Sequence, residues 1–134
     1  MSSYRDQDIY RAAHNLGIEC HKLSMKLPKY ELYETGSQLR RSSKSVSANI
    51  VEGYGRRRYK TEYIRFLVFA HASCDETVEW LQYLLDLYPD LAATTQMAIC
   101  LANETGGKLN RFIQTVEEKH NDFGPYPPSP QPEL

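Results

Sequence analysis

The chain has 134 residues, 41% of them hydrophobic and 25% charged, with a net charge of −1; this fits one soluble domain large enough for a proper core. No apolar run approaches the ~18 residues that cross a bilayer, and the polar start "MSSYRDQDIYRAAHN" lacks the apolar core of a secretory signal. A cytoplasmic protein with no membrane contact is therefore expected.

In the first predicted helix, from about Asp6 to Lys26, Ile9, Leu16 and Leu23 repeat every seven residues, with Ala13, Cys20 and Leu27 as the companion series. This spacing makes one apolar seam over three heptads, and Pro28 ends it. The second helix starts near Leu32, and its seam is Gly36, Leu39, Ser43, Val46, Ile50 and Gly53. Small residues alternate with large ones, so a partner helix can approach closely. Its serines are mediocre helix formers, so packing must hold it. Gly53 and Gly55 suit its C-terminal end, where a positive φ is often needed, and Arg56, Arg57 and Arg58 follow where the helix dipole favours cations.

Thr61 is the expected cap of the third helix, with Glu62 in its first turn. Its recurrent positions are Tyr63, Phe66, Ala70, Ser73, Thr77, Trp80, Leu84 and Leu87, and "LYPD" stops it at Pro89. The fourth helix spans about Asp90 to Lys119, with Ile99, Ala102, Leu109, Phe112, Ile113 and Val116 on one side and a bend expected at Gly106–Gly107. The 14 residues from 121 contain five prolines and read as an extended or disordered tail. Residues 1–120 thus predict an all-α, antiparallel up-down-up-down four-helix bundle, with a proline-rich C-terminal tail at 121–134.

Cys20, Cys74 and Cys100 are odd in number and each lies in an apolar-periodic stretch, which fits buried reduced thiols. Charge is unevenly spread. Residues 1–37 balance five basic against five acidic, residues 38–74 carry eight basic and two acidic (+6), and residues 75–134 carry three basic and ten acidic (−7). Such a molecule can bind a polyanion, or bind copies of itself, basic surface to acidic.

"GYGRRRYKT" resembles a phosphate loop only superficially. Tyr59 stands where the loop needs glycine, and a helix precedes it. A bundle metal site needs two Glu-x-x-His pairs, and only Glu117–His120 is present; His71 and Cys74 lack further ligands. No nucleophile has an identifiable base. The expectation is a non-enzyme without metal or cofactor. Arg40, Arg41, Lys44, Arg56, Arg57, Arg58, Lys60 and Arg65 form the candidate contact surface for a polyanion or a neighbouring subunit. Tyr54, Tyr59 and Tyr63 are interleaved as candidates for stacking on bases. The alternative is that these charges are solvated or paired, as Glu52 with Arg56 at i, i+4. Asn49, Glu52 and Gly53 share a helical face and read as a structural corner, with buried polar groups bonding across the bundle.

"LPKYELYE" at 27–34, "QLRRSSKSVSANIVEGYGR" at 38–56, "EYIRFLVFAHAS" at 62–73 and Glu76 resemble the four-helix-bundle family first recognised as products of intervening sequences in bacterial 23S ribosomal RNA. The resemblance spans about residues 8–88 and adds Ser73 and Glu76 to the structural motif. It implies a cytoplasmic bundle without established catalytic activity, assembled as a ring-shaped homopentamer. It also implies two kinds of further partner, RNA or another nucleic acid and a protein, because related accessory proteins of diversity-generating retroelements use a basic ring surface for such contacts.

Overall fold

The computed structural model describes residues 4–124. Five α-helices follow a 3-10 turn at Tyr4–Asp6: α1 (Asp8–Ser24), the one-turn α2 (Lys29–Leu32), α3 (Thr35–Gly55), α4 (Lys60–Leu87) and α5 (Ala92–Lys119), with a second 3-10 turn at Pro89–Leu91 before α5. No strand occurs among the described residues. The four long helices form an all-α bundle in which α1 packs on α3, α3 on α4, α4 on α5, and α5 back on α1. Facing residues meet in reversed order along neighbours: Arg41 with Glu76 and Gly53 with Phe66 for α3 and α4, Asp8 with Lys108 for α1 and α5. From residue 125 onward, the proline-rich stretch lies outside the described residues.

The heptad seam of α1 is buried throughout, and so is every seam position expected for α3. Burying these aliphatic side chains removes apolar surface from water at roughly 25 cal/mol per Å², which offsets the poor helix propensity of the α3 serines. On α4 the buried stripe is Tyr63, Leu67, Ala70, Cys74, Thr77, Leu81 and Leu84. Phe66 and Trp80 are only half-buried, and Leu87 is exposed. The expected stripe mixed two rows because α4 packs against α3 on one side and α5 on the other.

Four local expectations are corrected. Gly53 and Gly55 do not adopt positive φ; α3 runs helically through both. Thr61 is not the cap of α4, which begins at Lys60 without a capping side chain at Tyr59. Cys100 is exposed, whereas Cys20 and Cys74 are buried. The second long helix starts at Thr35 rather than near Leu32, and the one-turn α2 precedes it after Pro28.

Candidate functional site

The basic segment spans two environments. Along the α3–α4 interface, short polar side chains interlock. Ser42 Oγ lies 2.9 Å from Thr77 Oγ1, and Thr77 also donates to the Ser73 carbonyl at 2.8 Å. Ser73 donates to Ser45 Oγ at 3.2 Å, and Asn49 Nδ2 donates to the Ser45 carbonyl and hydroxyl at 2.9 and 3.0 Å. Arg41 pairs with Glu76, which also accepts from Trp80 Nε1 at 2.9 Å. Gly53 completes the seam, since a Cβ there would sit 3.2 Å from Phe66 Cβ. Gly53, Ser73 and Glu76 therefore belong to one interface, whereas among the described residues Asn49 bonds only to Ser45 of its own helix, so its expected bond across the bundle is corrected. Glu52 does not belong to the interface: its side chain is 53% exposed and pairs with Arg56 at 3.3 Å. The reading of Glu52 as a buried bond to neighbouring elements is corrected, because its turn of α3 faces water.

At the α3–α4 turn the cations are held individually. Arg56 reaches Glu52 and, at 3.5 Å, Glu62, and lies 4.7 Å from the Phe66 ring centroid. Arg65 reaches Glu62 at 3.5 Å. Arg57 donates to the Tyr54 carbonyl at 2.8 Å and lies 3.8 Å over that ring. Arg58 lies 5.9 Å from the Tyr59 ring, and the Lys60 ammonium donates to the Glu117 carbonyl. Arg40 is remote from the turn and directed inward, donating to Ser24 Oγ at 3.0 Å and the Leu32 carbonyl at 2.8 Å. It ties α1, α2 and α3 together and is corrected from a contact residue to a structural one. Lys44 is exposed on the α1 side of α3. Tyr63 is 4% exposed and packs edge-on against Phe112 and His120, so it cannot stack on a base; Tyr59, 52% exposed, can.

The residues following α5 clasp this turn. His120 Nε2 lies 2.6 Å from the Arg57 carbonyl, the Phe123 amide donates to the Arg58 carbonyl at 3.2 Å, and Asp122 accepts the Lys60 amide at 2.7 Å. The first amide of α4 is thus capped by a carboxylate 62 residues downstream. At the other end of the bundle, Glu31 accepts the Thr35 amide at 3.0 Å and the Tyr88 hydroxyl at 2.6 Å. Hydrogen bonding from Thr35, then from Tyr88, holds the Glu31 carboxyl below its ordinary range, and the same contact with Glu31 raises the Tyr88 hydroxyl. No local pattern marks Asp122 as a cap, because it acts from 62 residues away, whereas Glu31 stands four residues before the amide it accepts.

Among the described residues no three His, Cys, Asp or Glu side chains converge as metal ligands, and no helix is long and apolar enough to cross a membrane.

The family model for the 23S rRNA-intervening sequence protein matches residues 5–110. A crystal structure of a protein of unknown function from the S23 ribosomal protein family of Bacteroides thetaiotaomicron is similar in fold. Its TM-score is 0.70 at 19% identity, over 80% of this chain and 99% of that one. No curated protein matches the chain in sequence.

Proposed function

The chain belongs to the 23S rRNA-intervening sequence protein family, and from that premise we propose that it acts as a non-enzymatic, cytoplasmic oligomeric scaffold, assembled as a ring of five copies through head-to-tail contacts. One observation carries this reading: most cations of the basic segment gather around the α3–α4 turn, at one end of α4. Glu52 and Glu62 serve Arg56 and Arg65, while Arg57 and Lys60 meet neutral carbonyls. Five cations, Arg56, Arg57, Arg58, Lys60 and Arg65, thus share that turn with three carboxylates, Glu52, Glu62 and Asp122. Asp86 and Asp90 lie near the opposite end of α4, about 40 Å away at 1.5 Å per residue. A basic cluster and acidic residues at separate places on one molecule favour heterologous contacts, which close into rings when the rotation between copies closes. The ring of five further rests on the family resemblance.

Light scattering at micromolar concentration tests the proposal. The expected mass is about five times 15.5 kDa, and replacing Arg56, Arg57 and Arg58 with alanine should dissociate the assembly while preserving helical content. A monomeric wild-type protein at physiological salt would refute it.

A second reading has support from Tyr59. Its exposed ring beside Arg58 suits an unpaired RNA base and its phosphate.

A further inference from the structure

A groove between α1 and α3 takes no part in the seam, the turn or the clasp. It measures about 370 Å³ and is lined by His14, Ile18, His21 and Lys22 from α1 and by Lys44 and Ser47 from α3, with Gly17 at the helix crossing. Small-molecule sites occupy roughly 300–1,000 Å³. A Cβ on Gly17 would lie 3.6 Å from Lys44 Cγ and 3.7 Å from the Ser43 carbonyl oxygen. The bare glycine therefore lets the aliphatic stem of Lys44 lie against α1. Ile18, 41% exposed, adds apolar surface, so an apolar slot lies beside a basic rim.

The charges around it are of one sign. No carboxylate lines the groove; Lys22 has a 3.8 Å ion pair with Glu19, which stands outside the lining. Lys44 makes no ion pair among the described residues. His14 is oriented by Tyr10, whose ring stacks on it at 5.7 Å and whose hydroxyl lies 3.5 Å from Nδ1. Two ammonium and two imidazole groups thus approach one opening from two helices. A carboxylate offers two acceptor oxygens to such an array, whereas a phosphate monoester offers three with a larger charge.

We propose that this groove binds a phosphate monoester carrying a planar ring, with Lys22, Lys44 and His21 around the phosphate and the ring against Ile18, His14 and the Lys44 stem. The site is distinct from the α3–α4 turn, since Lys44 precedes Arg56 by twelve residues, about 18 Å along α3.

Adenosine 5′-monophosphate, titrated into the full chain while the His14 and His21 ring signals are followed by NMR, tests this. Saturable shifts with Kd of about 1 mM or tighter are expected, with adenosine and inorganic phosphate each binding at least about tenfold more weakly. Lys44→Gln, checked for an intact amide spectrum, should weaken binding about tenfold by losing one charge-assisted contact, and Arg56→Ala should not change it. A 5′-phosphorylated hexaribonucleotide run in parallel separates two sources of the same chemistry. Mononucleotide binding assigns a free nucleotide, and binding of the strand alone assigns an RNA end. Histidine signals unmoved by about 10 mM of either probe would overturn the proposal. So would unchanged affinity in Lys44→Gln, or a loss in Arg56→Ala as large as that in Lys44→Gln.

Discussion

At Gly53 the absence of one methyl group sets how closely α3 approaches α4. An alanine Cβ would lie 3.2 Å from Phe66 Cβ and 3.4 Å from the Tyr63 carbonyl oxygen, and a carbonyl on a packed helix cannot easily move. Gly53→Ala should therefore destabilise by about 1–3 kcal/mol through overpacking. Gly55 meets nothing within 4 Å, so Gly55→Ala should be neutral or stabilise by about 0.4–1 kcal/mol through the unfolded chain. Denaturant melts of the two variants check the pair, and equal midpoints would contradict this account. The cysteines give a second contrast. Burial pushes the Cys20 and Cys74 thiols up to about 12, and a buried thiol that stays protonated is inert. A thiol reagent should label Cys100 alone in the native protein and all three cysteines after denaturation. Gly53 was legible as a small seam residue where a partner helix approaches closely; the sequence offered it also as a helix end, and the packing against Phe66 decides for the first.

Among the elements, α3 and α4 begin without a capping side chain at the preceding residue and receive carboxylates from elsewhere. Glu31 links the start of α3 to the end of α4 through Tyr88. Its carboxyl is held below the ordinary value of 4.5, so folding favours its ionised form. The associated stability is fully present above that value and is lost as pH falls through the lowered one. Wild-type stability should thus drop on acidification below about pH 4.5, and Glu31→Gln should drop less over the same interval. Asp122→Ala should cost about 1 kcal/mol by uncapping α4, read from the same denaturant melts. Here the lengths and order of the four long helices were legible from periodicity and from Pro28 and Pro89. The caps were not, because capping rules address the residue just before a helix, whereas Glu31 stands four residues before Thr35 and Asp122 arrives through tertiary packing.

For the whole molecule, most cations of the basic segment gather at the α3–α4 turn, and that cluster serves either reading of the basic turn. Salt titration separates them. If the turn binds single-stranded RNA, affinity should fall with salt at a log–log slope of about −0.7 per phosphate contact. Replacing Arg56, Arg57 and Arg58 should flatten that slope, and Tyr59→Ala should cost affinity with little change in it. The scaffold reading expects no RNA binding at low salt, and an assembly whose mass depends on these arginines.

By itself the sequence determined the bundle: its four long helices, the seams of α1 and α3, and the family resemblance. Apolar residues at heptad spacing have one efficient way to leave water, and that constraint is local enough to read along a chain. Tertiary structure alone decided which charges stay available. Arg40 and Arg65 look alike in a row of letters, yet Arg40 turns inward to Ser24 and Leu32 while Arg65 lies outside beside Glu62. It also placed Tyr63 in the core and Tyr59 in water, and opened the groove beside Gly17. A long polar side chain can reach several neighbours, and which one it meets depends on how the helices are rotated against each other.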